Sequence, residues 1–139
     1  FRSRTWVYER MNGDGALTSE LPGGIHASTS LDHTPHEKPF VMYRSVANVP
    51  DLRGDDIDQT ATETFLIFVH DQPGDYLAID EILSRAYFLF SNVTDPSAGI
   101  VRSNWLETSE DFRDEDMGTI MKYFRVQVKY KVNHLQGGG

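Results

Sequence analysis

Hydrophobic and polar positions alternate along two long stretches of the chain and recur at helical spacing along a third. In Gln59–His70, Thr60, Thr62, Thr64, Leu66, Phe68 and His70 fall on one side, and Ala61, Glu63, Phe65, Ile67 and Val69 on the other. That is the period of a strand. Its second half is apolar on both sides, which predicts a central strand covered twice. In Thr119–Val132, Phe124, Val126, Val128 and Tyr130 oppose Tyr123, Arg125, Gln127, Lys129 and Lys131, so one face should meet a core and the other solvent or a partner. Phe40–Val46 also alternates: Phe40, Met42 and Val46 share a side with Arg44 as the exception, against Val41, Tyr43 and Ser45. Ile100–Thr108 reads as a further strand and Ile25–Ser28 as a short one.

The helical stretch is about Asp75–Phe90. Tyr76, Ile79, Ile82, Leu83, Ala86, Tyr87 and Phe90 follow the i, i+3, i+4, i+7 pattern, with Asp75 as N-cap. Phe88 and Leu89 fall partly off the stripe, so the helix should touch something on a second side. Arg2–Met11 predicts a short helix from Trp6, Val7 and Met11, stopped by Asn12-Gly13. Asp14–Gly24, Thr29–Lys38 and Ala47–Asp58 read as loops and Asp95–Gly99 as a turn. The order α, β, β, β, α, β, β predicts an α+β fold: a mostly antiparallel sheet of four to five strands, one amphipathic helix packed on it and a short N-terminal helix. Residues 1–132 are expected to form one domain and 133–139 a flexible Gly-rich C-terminal tail.

Composition narrows the function. The 139 residues contain no Cys, which removes disulfide scaffolds, Cys-ligated zinc, iron–sulfur clusters and thiol catalysis. No apolar run approaches the roughly 20 residues of a membrane-spanning helix, so no membrane partner is expected. Net charge is −8, against a general nucleic-acid binder. The acid is segmental: Asp51, Asp55, Asp56 and Asp58 surround Arg53, and Glu107, Glu110, Asp111, Asp114, Glu115 and Asp116 surround Arg113. Met117–Gly139 instead carries Lys122, Arg125, Lys129 and Lys131 and no acid. Two readings fit: solvated loops beside a solvated strand, or a self-complementary surface for assembly.

No catalytic constellation emerges. His33 and His36 sit in a Pro-flanked loop without a matching zinc motif. His70-Asp71 at a strand end lacks a nucleophile elbow. Asp111, Asp114 and Asp116 depart from the calcium-loop order. The glycines form neither a dinucleotide fingerprint nor a phosphate loop. No metal, nucleotide or other cofactor is expected.

One stretch is more specific. Trp105-Leu106-Glu107-Thr108-Ser109-Glu110-Asp111 leads through Asp114-Glu115-Asp116-Met117-Gly118 into Arg125-Val126-Gln127-Val128. It resembles the C-terminal half of tail terminator proteins of long, non-contractile-tailed bacteriophages, especially those of actinobacterial hosts. Pro39–Arg44 fits the P-x-x-x-Y-R strand of that family, and the element order agrees over roughly Arg4–Lys131.

The resemblance implies a structural virion protein, not an enzyme. It implies a homohexameric ring that caps the tail tube, stops its polymerisation and joins tail to head. The partners implied are other copies, the tail tube protein, a head-completion or connector protein, and DNA passing through the lumen without specific binding. The location implied is the head-proximal end of the tail, after assembly in the host cytoplasm. A closed ring needs two different patches that meet. Glu110, Asp111, Asp114 and Asp116 on one side and Lys122, Arg125, Lys129 and Lys131 on the other are candidate halves. Phe88, Leu89, Trp105 and Tyr123 are candidate apolar anchors, equally readable as core. Asp55, Asp56 and Asp58 are candidates to face the lumen, although ordinary outer surface fits them as well. A different head–tail connector ring and a small soluble ligand-binding or enzymatic domain remain alternatives.

Overall fold

The computed structural model describes residues 2–27, 37–51 and 59–132. His33, His36, His134, the proposed lumen residues Asp55, Asp56 and Asp58, and the tail 133–139 lie outside the described residues. The elements in chain order are α1 (Arg2–Asn12), α2 (Gly15–Thr18), β1 (Ile25–Ala27), β2 (Phe40–Asp51), β3 (Thr60–Asp71), α3 (Leu77–Phe90), β4 (Val93–Asp95), β5 (Ile100–Thr108), β6 (Phe112–Asp114) and β7 (Thr119–Lys131). A single 3-10 turn, Pro96–Ala98, joins β4 to β5.

The fold is α+β, as the pattern predicts, with a seven-stranded sheet where four to five strands were expected. Its order is β1-β2-β3-β7-β5-β4, and β6 pairs with the start of β7. Every pairing is antiparallel except β1 with β2. The additional strands β4 and β6 are three residues each, too short to leave an alternation. β2 runs on to Asp51, through residues that read as loop. A register shift between Ser45 and Ala47 absorbs Val46. This bulge, not Arg44, is what interrupts the alternation.

Two faces result. Phe65, Ile67 and Val69 of β3 pair with Val126, Phe124 and Lys122 of β7 on the side that carries the helices. The apolar members of this set are completely buried. Ile79, Ile82, Leu83, Ala86 and Phe90 of α3 close over them. The other face is open: Thr62, Thr64, Phe68, Tyr123, Arg125, Gln127 and Lys129 are all partly exposed. β3 is central, but its second covering is not a helix among the described residues. Phe40 stacks flat on His70 at 4.9 Å, and Phe68 meets Tyr123 at 5.6 Å.

The N-terminal helices hold α3 in place. Trp6 Nε1 donates to Asp95 Oδ2 at 3.0 Å, and Arg10 donates to the Leu89 carbonyl. Asp14 caps α2 by accepting from the Leu17 amide at 3.0 Å and takes both Arg85 donors at 2.7 Å. That pair holds the Asp14 carboxyl below its ordinary value. At the start of α3 the cap position is Tyr76, whose side chain makes no capping bond and instead donates its hydroxyl to the Phe112 carbonyl at 2.9 Å, while Asp75 Oδ1 accepts from the Leu77 amide at 3.1 Å. Asp75 therefore satisfies the first helical donor from one residue further out than expected.

Candidate assembly surface

The C-terminal acidic segment is built onto β7 rather than hung from it. Phe112, Arg113 and Asp114 pair with Met121, Ile120 and Thr119. The turn between them closes because Asp114 Oδ1 accepts from the Met117 amide at 3.1 Å and Gly118 takes φ 64°. A side chain at Gly118 would be strained in that left-handed conformation. Ser109 completes the attachment, donating its amide to Tyr123 O and accepting from the Tyr123 amide, each at 2.8 Å. Phe112 stacks on Tyr123 at 5.8 Å and 9°.

Parity divides the four basic candidates. Lys122 shares the helix-covered face with Phe124, while Arg125, Lys129 and Lys131 lie on the open face. Lys122 Nζ reaches Asp80 Oδ1 at 2.6 Å and Asp111 Oδ1 at 3.2 Å. Its hydrogen bond to Asp80 raises its pKa. Arg125 Nε meets Glu107 Oε1 at 2.8 Å. The acid–base complementarity seen in the sequence is thus partly met within one chain. Glu110, Asp116 and Lys131 stay exposed, and Asp114 is half-buried in its turn.

The aromatic candidates separate in the same way. Leu89 is a core residue beneath Arg10 and leaves the surface set. Trp105 is half-buried, stacked on Phe124 at 4.1 Å and 5°, with the Tyr87 edge 5.4 Å away and its Nε1 donating to Thr108 Oγ1 at 2.9 Å. Phe88 is 72% exposed. Together with Leu83, Ser84, Tyr87 and Thr108 they form a groove between α3 and β5 of about 510 Å³. Such fixed aromatic walls around an unfilled groove are what a partner's apolar side chain needs. The helical spacing predicts Leu83 and Tyr87 on the buried stripe, and Leu83 is buried there. Only the position of β5 beside α3 shows that Tyr87, 49% exposed, leans out over Trp105.

A second depression, about 250 Å³, lies on the open face between Met42, Arg44, Phe68, His70, Asp114, Met117 and Met121. Nothing in the alternation marked it, because its residues come from strands distant in sequence. His70 is 3% exposed, and its Nδ1 lies 2.8 Å from Thr119 Oγ1. Burial lowers its pKa, opposed by the charge of Asp114. Asp114 is the acid of the lining, and no Ser, Thr, Cys or Lys nucleophile stands among the lining residues. No group of three His, Asp or Glu side chains able to hold a metal occurs among the described residues.

No family model matches the chain, and no curated relative matches it either. Solved structures do share its shape. A chain in the virion of the native gene transfer agent particle superposes with a TM-score of 0.66 at 13% identity, covering 90% of this chain and 91% of that one. The bacteriophage SPP1 gp17 protein gives a TM-score of 0.46 at 15% identity, covering 94% of this chain and 88% of that one. At 13% identity the likeness to the gene transfer agent chain is one of fold.

Proposed function

We propose that this chain is a structural subunit of a phage-type virion, a tail terminator whose copies form a ring on the end of the tail tube. The observation that supports this most is the fold shared with a gene transfer agent virion chain over nine-tenths of both chains. The resemblance of Trp105–Asp111, Asp114–Gly118 and Arg125–Val128 to tail terminators points the same way. The surface fits an assembly role: an aromatic groove with Phe88 exposed, and the acidic segment fixed rigidly to β7. In this reading the ring is a homohexamer, stops tube growth and presents the joining surface for the head. Net charge −8 suits a passage that DNA crosses without adhering, since DNA carries a negative charge every roughly 1.7 Å of axis. The protein acts by contact rather than by catalysis.

The test is removal of the gene from its phage or particle. Tubes of uncontrolled length that never join heads are the expected product, with the purified protein restoring tail ends in extracts. Tails of normal length lacking heads would assign it to head completion instead. Normal particles would refute both.

A further inference from the structure

We infer that the groove between α3 and β5 receives the basic half of the open sheet face of a second copy of this chain; this rests on the ring reading above. The open face changes character along its length. At one end its cross-strand rows are apolar: Phe40, His70, Met121 and Phe112, then Met42, Phe68 and Tyr123. At the other end they are polar and basic. Ala47, Thr64, Gln127 and Asn104 form one row, and Val49, Thr62, Lys129 and Arg102 the next. Asp51, Thr60 and Lys131 follow in register. Val49 is 59% exposed there. Beyond Tyr43 no strand among the described residues pairs with the outer edge of β2.

The groove is the opposite in charge. Asp80 and Glu81 lie one helical turn before Ser84 on the exposed side of α3, and Glu107, Glu110 and Asp111 flank Thr108. The nearby cations Lys122 and Arg125 are already held by Asp80, Asp111 and Glu107. Arg85, beside Ser84, is likewise held by Asp14. That leaves Glu81, two helical turns before exposed Phe88, and Glu110, two residues past Thr108, as exposed acids without an ion-pair partner among the described residues.

Charge decides which surfaces meet. A two-fold contact through the groove would set acid against acid, and one through the basic half would set cation against cation; like charges facing each other are disfavoured. Groove against basic half brings Val49 and the Thr-rich rows to Phe88, and Lys131 to Glu81 and Glu110. The groove is on the helix-covered side at the β5 edge, and Val49 is on the other side toward the β2 edge. A contact between different patches repeats from copy to copy and ends only when the ring closes.

Two variants of the full chain test the pairing. Phe88→Asp disables the groove, and Val49→Asp combined with Lys131→Glu disables the basic half. All three sites are exposed, so circular dichroism should show an unchanged fold. Each variant alone should remain monomeric at concentrations where the native chain forms rings, a loss of about tenfold or more in affinity. Mixed, the two should form a one-to-one dimer and no ring, because each keeps one competent surface. Native-sized rings from either variant, or a mixture that stays monomeric, would overturn the pairing while leaving the ring reading intact. If the native chain shows no rings in solution, zero-length carbodiimide coupling of isotopically mixed copies replaces the assay. It should join Lys131 of one copy to Glu81 or Glu110 of another. Absence of that product overturns the inference, as does an open half that binds duplex DNA in place of a second copy.

Discussion

The two faces of the sheet are made by the same strands and differ in what each residue does. On β7, Phe124, Val126 and Val128 are completely buried under α3, while their neighbours Tyr123, Arg125 and Gln127 stay partly exposed. On β3, Phe65 and Ile67 disappear into the core, while Thr62 and Thr64 face outward. One face therefore holds the stability of the chain. The other carries, over part of its length, rows of Thr, Gln, Asn, Lys and Arg that stay partly exposed. The difference shows how one run of alternating residues can encode two functions at once.

The comparison is broken most sharply at Phe124, which contacts Trp105, Phe90 and the α3 layer. Phe124→Ala should cost about 3–5 kcal/mol in urea unfolding, the range for emptying a well-packed aromatic site. Next is Glu63, a buried carboxylate on the covered face that accepts from Ser3 of α1 and from Ser45 Oγ at 2.5 Å. Glu63→Ala leaves two hydroxyls without partners and should cost about 1–3 kcal/mol. Faster amide exchange in α1 than elsewhere would confirm that this contact tethers the helix.

A third effect belongs to the open face and has a sign fixed by His70. Burial holds its pKa below the ordinary 6.5, so the folded chain prefers the neutral ring. The unfolded chain takes up its proton as pH falls through 6.5, and the folded chain only at lower pH. Stability from this group is full above 6.5, declines as pH falls toward the folded value, and then levels off. Denaturation midpoints across that window should slope for the native chain and flatten for His70→Gln. The smallest effect sharpens the contrast: Gln127→Ala, three residues along β7 from Phe124 but facing outward, should change stability by no more than about 0.5 kcal/mol.

Much of this was legible in the residues. The alternation of Thr119–Val132 already separated Lys122 from Lys129 and Lys131: an even position travels with Phe124, an odd one with Tyr123. Grouping all four cations on one face ignored that parity, and the bridge from Lys122 to Asp80 shows the consequence. The α3 stripe from Ile79 to Phe90 was visible because its spacing is helical and its residues are apolar. What was hidden depends on neighbours distant in sequence. β4 and β6 exist because β5 and β7 offer them edges. Ala47–Asp51 reads as loop because Pro50 cannot donate to a ladder, yet among the described residues one edge of β2 is unpaired there and tolerates it. The groove beside Phe88 needed Trp105 to be brought to Tyr87.

The bulge at Val46 means that β2 carries one letter more than β3 reads. Up to Ser45 the odd residues face the helices; from Ala47 onward the even ones do, so that Asn48 can exchange hydrogen bonds with Tyr130. Deleting Val46 should keep the message in phase, with Ala47 still opposite Thr64 and Val49 still outside. Deleting Asn48, two positions later, would slide Val49 into its slot beside Tyr130 and take the exposed valine off the outer surface. Of two single-residue losses in one strand, the first is a silent edit and the second a frameshift of the surface.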